Sequence, residues 1–266
     1  PYAIARAGSL SGRKTKHIAL MSACVILWFF MAFRGLGVGV DTKHYAYVFS
    51  QFKSIPFSEV FTAVTYANES EGWAFDFEPG YRLVNKLLSL FFTSVQAITV
   101  FNSTLIMVLW YFLIKRNSPN FLLSIWLFIT LGIYQTEMNV TRNAIAILMV
   151  YHAFPFLLRR EFPKYLAVCA FASLFHIAAL ILVPVYFLVW GLKLSPGRAG
   201  LLILSFCAVG VIFPVISPIL SAIVPGRFSK YLQGNNEKLG SLIVGVLNGG
   251  FFLLTLWLLP QNKRAQ

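Results

Sequence analysis

Residues 165–192 read YLAVCAFASLFHIAALILVPVYFLVWGL, and they contain one histidine, His176, but no Asp, Glu, Lys or Arg. A run of this length and polarity predicts a membrane-embedded segment. A charged group at the centre of a membrane helix costs roughly 2.5–3.5 kcal/mol on insertion scales, so an ionisable residue at that depth usually faces a cavity or a partner. His176 is therefore the first candidate functional residue.

The rest of the chain is equally apolar. Hydrophobic residues make up 58% of the 266 residues and charged residues only 12%, about half the charged fraction of a soluble domain. Further apolar stretches of helical length lie at 18–33, 96–114, 119–136, 143–158, 199–222 and 241–259. Because these runs are continuous rather than alternating, they predict helices and not a barrel. We expect an all-α, polytopic transmembrane helical bundle of about seven to eight membrane segments, forming a single membrane domain over residues 1–266.

The net charge of +13 is explained better by membrane topology than by nucleic-acid binding. If the N-terminus is cytoplasmic and the segment 34–86 lies outside, the cytoplasmic side receives thirteen basic residues against one acid, and the outer side nine against eight. An excess of lysine and arginine on the cytoplasmic side is the usual orientation signal. We predict a multi-pass protein with a cytoplasmic N-terminus, an extracytoplasmic loop at 34–86 with interfacial helices, and no nucleic-acid partner.

The same topology constrains the 165–192 run, because basic residues flank both of its ends. About 28 residues cannot make two full crossings at ~20 residues each, which favours two short helices in a re-entrant-type hairpin around His176. One long tilted helix that ends outside is the alternative. At the turn of the hairpin, the His176 imidazole would either take part in the protein's function or form a structural hydrogen bond with a backbone carbonyl that the turn leaves unpaired.

The segment after the first span, FRGLGVGVDTKHY at 33–45, contains three alternating glycines. No strand precedes them, so backbone freedom explains these glycines better than a nucleotide-binding loop does. From Asp41 onward, aromatic side chains recur at helical spacing until the break around Pro56. This pattern predicts an interfacial helix at the outer surface.

A second polar motif, DFEPGYR at 76–82, places a proline where a helix would begin. Glu78 and Arg82 would then be neighbours on that helix and form a surface pair. A carboxylate beside a membrane cavity could instead act as a base. The spacing of Asp76 and Glu78 would also allow a divalent cation, although two carboxylates without further ligands are a weak signal.

A third motif, NVTRN at 139–143, lies at the outer mouth of the next inward-running helix. Spacings of three and four would put Asn139, Arg142 and Asn143 on one helix face, where a guanidinium flanked by amides suits an anion such as phosphate. The alternative is that Arg142 extends to the membrane interface, as arginine near a helix end often does.

Four motifs follow one another between about residues 28 and 190: Arg-Gly…Gly-x-Asp-x-x-x-Tyr at 34–45, Glu-Pro-Gly-Tyr at 78–81, Asn-x-x-Arg-Asn-x-Ile-Ala at 139–146, and Phe-His at 175–176. In this combination they resemble the EpsG/Wzy-like polysaccharide polymerases. The resemblance implies a GT-C-like bundle. Members of that group commonly have more spans than are counted here, which suggests that this chain is trimmed at one or both ends.

The resemblance implies glycosyl transfer at the outer face of the bacterial inner membrane, without nucleotide sugar or cofactor. The partners it implies are an undecaprenyl-diphosphate-linked oligosaccharide, membrane lipid and other polysaccharide assembly proteins. The leaving diphosphate is an anion that cationic groups would stabilise, and the acceptor hydroxyl needs a base. Asp41 and Glu78 are the candidate bases, and the sequence does not rank them. The candidate diphosphate-binding residues are Arg142, Arg34, His176, Asn139, Asn143 and Arg82, and no metal site is expected.

Three other functions compete with this interpretation. An O-antigen ligase uses similar donors but usually carries a large later outer loop, whereas the loop at 223–240 is short. A membrane O-acyltransferase would use an intramembrane histidine, but its donor approaches from the cytoplasm while the polar residues here gather outside. A flippase or transporter would show paired intramembrane charges or symmetry-related halves, and the sequence shows neither.

Overall fold

The computed structural model describes residues 13–39, 41–62, 65–68, 73–191 and 219. Most of these residues are helical. The α-helices are α1 (Arg13–Ala32), α2 (Thr42–Phe52), α3 (Pro79–Phe91), α4 (Gln96–Asn117), α5 (Phe121–Thr130), α6 (Ile133–Asn139), α7 (Thr141–His152), α8 (Phe154–Leu158), α9 (Phe162–Ser173) and α10 (Val183–Gly191). Short 3-10 helices occupy Phe57–Glu59 and Ile177–Leu182. The predicted helical architecture is confirmed for this part of the chain.

Three helical segments within the described ranges are long and apolar enough to cross a membrane: Thr15–Ala32, Gln96–Asn117 and Thr141–Leu158. Helices α5 and α6 add a fourth if they form one span, which is bent by 58°. The bend follows Gly132, whose φ of +75° lies in the left-handed region that glycine adopts without steric cost. The predicted stretches 199–222 and 241–259 lie outside the described residues.

Helix α4 is central to the described bundle, because α1 and α7 both pack along it. Apolar side chains such as Met31 and Ile106 are fully buried there. Polar side chains also form hydrogen bonds in this interior: Asn102 Nδ2 donates to the Tyr81 hydroxyl at 2.7 Å and to the Thr141 hydroxyl at 3.2 Å. Hydrogen bonds of this kind hold membrane helices together where apolar side chains gain little by leaving lipid. They connect α3, α4 and α7.

The segment between α1 and α4 contains α2, a β-hairpin and α3. Strand β1 (Thr65–Asn68) pairs antiparallel with β2 (Trp73–Asp76), with Thr65 opposite Asp76. The sequence did not predict this small sheet, which is a local exception in the otherwise helical part of the chain that the structure describes. Helix α3 begins at Pro79, whose fixed φ suits the first helical position and whose missing N–H is not needed there.

The 165–192 region reverses direction near residue 175. Helix α9 ends at Ser173, His176 has extended dihedrals (φ −157°, ψ 126°), and the chain resumes as a 3-10 helix and then α10. The returning arm lies against the first, because the Tyr165 hydroxyl donates to the Leu182 carbonyl at 2.8 Å and the Phe162 and Tyr186 rings lie 4.9 Å apart. His176 therefore occupies the turn between two short helical arms.

The chain divides into two compact units, Pro1–Phe187 and Leu188–Gln266. Helices α1 to α9 and the site discussed below lie in the first unit. The second unit falls almost wholly outside the described residues, so the expectation of one membrane domain over residues 1–266 stays a prediction.

Candidate active site

Glu78 joins two residues that are distant in sequence. Its Oε2 lies 2.5 Å from Arg142 Nη1, and its Oε1 lies 2.8 Å from His176 Nδ1. These contacts connect positions 64 and 98 residues apart. The Ile177 backbone N–H also donates to Oε1, at 3.2 Å. We call Glu78, Arg142 and His176 the charged triad.

The close approach of α3 to the hairpin turn brings Glu78 to His176. Glu78 immediately precedes α3 in an extended conformation, with ψ of 151°. Two residues later, Gly80 packs so tightly on Leu174 that an added Cβ would lie 2.7 Å from the Leu174 Cβ and 2.8 Å from its carbonyl oxygen. The Tyr81 backbone N–H donates to that same carbonyl at 3.1 Å. The absence of a side chain at Gly80 therefore permits the triad to form.

Arg142 is held in an aromatic pocket. It is the second residue of α7, and its guanidinium carbon lies 4.2 Å from the centre of the Phe77 ring, 5.7 Å from Tyr81 and 5.8 Å from Tyr45. The three rings are buried. Cation–π contacts of this kind are strongest when the cation is withdrawn from water. The rings fix the guanidinium and leave a carboxylate as its charged partner.

The exposed fraction of the side chain increases from Arg142 to Glu78 to His176. The side chain of Arg142 is 8% exposed, that of Glu78 15% and that of His176 28%. Arg142 is thus the deepest of the three groups, and His176 is the one most accessible to an incoming molecule.

Glu78 remains a carboxylate at neutral pH. Burial raises the pKa of its side chain, but the hydrogen bond to His176 and the positive charge of Arg142 outweigh burial and leave that pKa below its usual value. A carboxylate stabilised in this way is a weak proton acceptor. It is better suited to orienting its two partners.

Asp41, the other predicted base, lies outside the triad. Its Oδ1 is 3.7 Å from His44 Nδ1. Burial raises the pKa of Asp41, although His44 and the charge of Arg142 act in the opposite direction. Gly39 shapes this loop: its φ is +91°, and an added Cβ would lie 2.8 Å from Asn139 Oδ1. The first and third motifs therefore meet beside Arg142.

The sequence argument that placed Asn139, Arg142 and Asn143 on one face assumed a single continuous helix, and the structure does not have one there. Helix α6 ends at Asn139, Val140 has non-helical dihedrals (φ −96°, ψ 52°), and α7 starts at Thr141. The spacing rule for one helix does not apply across such a break. Asn143 follows Arg142 in α7, and its buried Oδ1 has no hydrogen-bond partner within the described residues.

The predicted pair of Glu78 and Arg82 is also wrong. Arg82 is buried and donates to the backbone carbonyls of Thr62 and Phe61. Glu78 precedes the helix in an extended conformation, so the four-residue neighbour rule for helix surfaces does not apply to it. Arg82 ties residues 61–62, which follow the first 3-10 helix, to α3 and does not join the triad.

Arg34 is likewise separate from the triad. It is buried and donates to the Met31 carbonyl at 2.5 Å, the Met138 carbonyl at 3.0 Å, Ser103 Oγ at 3.4 Å and Thr42 Oγ1 at 3.3 Å. Met31 and Met138 lie in the last turns of α1 and α6, where unpaired carbonyls attract a cation. Arg34 therefore connects the C-terminal ends of α1 and α6 through its hydrogen bonds.

The divalent-cation alternative gains no support at Glu78, because both of its oxygens are engaged by Arg142 and His176. Among the described residues, no three His, Cys, Asp or Glu side chains converge as metal ligands would. The Asp76 side chain lies outside the described part.

Sequence analysis overlooked Glu137. This residue is 7% exposed, and both of its carboxylate oxygens accept from Trp110 Nε1, at 2.9 and 2.7 Å. The signal in the sequence is an acidic residue directly after the apolar stretch 119–136. The aromatic pocket around Arg142 was also not predicted, although Tyr45 and Tyr81 belong to the motifs.

The sequence was also compared with known proteins. No curated protein and no solved structure matches the chain. The sequence profile of the EpsG family matches residues 17–266, nearly the whole chain. The four motifs fall within that match, and three of them supply the charged triad. The chain therefore belongs to the EpsG family, a family of membrane proteins of polysaccharide biosynthesis.

Proposed function

We propose that this protein is a polysaccharide polymerase that transfers a growing glycan from undecaprenyl diphosphate onto a lipid-linked repeat unit at the outer face of the bacterial inner membrane. The observation that carries the proposal is the charged triad, in which a buried guanidinium, a carboxylate and an imidazole from three motifs meet within hydrogen-bond distance. Family membership supports the same chemistry.

Arg142 is the group that would stabilise the leaving diphosphate. In the reaction, an acceptor hydroxyl oxygen bonds to the anomeric carbon, and the bond from that carbon to the diphosphate oxygen breaks. The diphosphate leaves with the bonding electron pair, so negative charge grows on its oxygens. A fixed guanidinium in a water-poor pocket stabilises such charge effectively and can donate two parallel hydrogen bonds to it.

His176 is the group that would accept the proton of the acceptor hydroxyl. Its Nδ1 faces Glu78 Oε1, and an Nδ1–H donated to that carboxylate leaves the Nε2 lone pair available as a base. Glu78 is then a positioning residue that fixes the ring and its tautomer, as carboxylates do for catalytic histidines. The greater exposure of His176 is consistent with contact to a glycan hydroxyl. Asp41 stays the alternative base.

The membrane arrangement is part of the proposal. We place the N-terminus in the cytoplasm, the segment 34–86 outside, and about seven to eight segments in the bilayer in a GT-C-like bundle. The partners are the undecaprenyl-diphosphate-linked oligosaccharide, membrane lipid and other polysaccharide assembly proteins. The described apolar helices support membrane insertion, and the polar outer segment offers a surface for glycan.

The test is polymer formation by Arg142 variants in a strain that lacks the chromosomal copy. Arg142→Ala should abolish long polymer and leave lipid-linked single repeats. Arg142→Lys keeps a charge beside Glu78 but loses the planar fork, and should lower polymer yield at least about tenfold. Arg159→Ala is the matched control, because Arg159 is 57% exposed and pairs with Glu161 away from the triad.

Gel analysis of surface glycan and immunoblots of membrane fractions measure the outcome. Normal chain length with Arg142→Ala would contradict the proposal. Polymer that forms but stays lipid-linked in the deletion strain would favour a ligase, and altered acylation without a change in chain length would favour an acyltransferase. Repeats that accumulate on the cytoplasmic side would indicate a flippase.

A further inference from the structure

We propose that Glu78 competes with the diphosphate for Arg142: Glu78 pairs with Arg142 before the donor binds and is released from it when the donor binds. This inference rests on the proposed function, because it assigns the donor anion to Arg142. It also sets an order of events: the donor must bind before Glu78 interacts with His176 and no longer with Arg142.

The two oxygens of Glu78 have separate partners, which makes such an exchange possible. Oε2 contacts Arg142 at 2.5 Å, whereas Oε1 accepts from the Ile177 backbone N–H at 3.2 Å and contacts His176 at 2.8 Å. The carboxylate can therefore give up Arg142 through Oε2 and keep both contacts made by Oε1.

The backbone around Glu78 is fixed to the hairpin turn rather than to α7. Gly80 lies in van der Waals contact with Leu174, and the Tyr81 N–H donates to the Leu174 carbonyl at 3.1 Å. Within the described part of the chain, the hydrogen bond from Arg142 to Glu78 Oε2 is the one hydrogen bond that connects Glu78 to α7. The contact with Arg142 is thus the one that an incoming anion can break without moving the backbone.

Arg142 is held in place independently of Glu78. The rings of Tyr45, Phe77 and Tyr81 surround its guanidinium, with Phe77 at 4.2 Å. A cation fixed in this way is preorganised for an anion. Burying it without a negative partner would be unfavourable, and Glu78 supplies that partner while no substrate is present.

The exchange links donor binding to activation of the acceptor. Once a diphosphate neutralises Arg142, the negative charge of Glu78 is no longer shared with the guanidinium and interacts mainly with His176. A carboxylate that stabilises a protonated imidazole favours proton transfer to Nε2. His176 therefore becomes a stronger base only when the donor diphosphate is bound. This limits deprotonation of the acceptor hydroxyl when no glycan can be transferred.

The test is the binding of farnesyl diphosphate, a short isoprenyl diphosphate, to the purified full chain in detergent, measured by calorimetry. If Glu78 competes with the anion, Glu78→Gln should bind this probe at least about tenfold more tightly than the wild type, because the probe no longer has to displace a carboxylate from the buried guanidinium. The same variant should lose polymerisation. Glu59→Gln, which removes a charge from the exposed 3-10 segment, controls for net charge and should match the wild type.

Glu78→Asp provides a second variant that keeps the charge but shortens the reach to Arg142, and it should bind the probe with intermediate affinity. Unchanged or weaker binding by both Glu78 variants would overturn the competition while leaving the proposed function intact. Absence of probe binding by every protein, including the wild type, would overturn the diphosphate assignment and with it the proposed function.

Discussion

Gly80→Ala tests whether close packing of α3 on the hairpin turn assembles the triad. An alanine Cβ at this position would lie 2.7 Å from the Leu174 Cβ and 2.8 Å from its carbonyl oxygen, whereas ordinary contacts begin near 3.4 Å. Helix α3 would have to retreat by roughly half an ångström or more, and overpacking of this kind costs about 1–3 kcal/mol. Displacements approaching 1 Å at reacting groups lower turnover by up to about 100-fold.

We therefore expect Gly80→Ala to insert normally, to lose a few degrees in Tm and to make polymer about 10–100-fold more slowly. The assay combines thermal unfolding in detergent with polymer yield per amount of membrane protein. Gly35→Ala is the matched control, because no atom lies within 4 Å of a Cβ at that glycine. Leu174→Ala should not rescue Gly80→Ala, since alanine keeps both the Cβ and the carbonyl that cause the clash.

Wild-type polymer yield from Gly80→Ala would refute the assembly argument. So would an equal loss from Gly35→Ala, because it would show that glycine flexibility matters rather than the contact with Leu174.

Two further predictions follow from the same geometry. Gly39→Ala should cost about 1–3 kcal/mol, because its φ of +91° is unfavourable for alanine and a Cβ would lie 2.8 Å from Asn139 Oδ1; thermal unfolding measures the loss, and an unchanged Tm would contradict it. The ion pairs of Glu78 should stabilise the protein above the usual carboxyl pKa of 4.5 and cease to do so as pH falls through its depressed pKa. The Tm of the wild type should therefore fall more steeply than that of Glu78→Gln below about pH 4.5, and parallel curves would show that the triad does not stabilise the protein.

The sequence predicted the parts of this protein that depend on local pattern. Continuous apolar runs predicted helices, because lipid requires every backbone polar group to be paired within the segment, and three of the described helical segments are long and apolar enough to cross a membrane. The lone histidine in residues 165–192 lies at the turn between two helical arms. The motifs also singled out Glu78, Arg142 and His176, since charged groups beside a membrane are uncommon without a role.

The sequence did not predict how these residues meet. Glu78 contacts Arg142 and His176, which are 64 and 98 residues away in the sequence. These contacts depend on the packing of Gly80 against Leu174, which no local sequence pattern indicates. The assumption of one helix through Asn139 and Arg142 failed because the helix breaks at Val140 without a glycine or proline to indicate it. Spacing rules describe one continuous helix and do not extend across such a break.

The most direct test of the central claim is reconstitution of the purified protein in proteoliposomes with undecaprenyl-diphosphate-linked repeat units, with product length followed by gel electrophoresis. The wild type is expected to join repeats into long lipid-linked chains and to release undecaprenyl diphosphate, while Arg142→Ala at equal protein amount leaves single repeats. Chains of equal length and rate from Arg142→Ala, or no joining by folded wild-type protein in the proteoliposomes, would contradict the proposed polymerase activity.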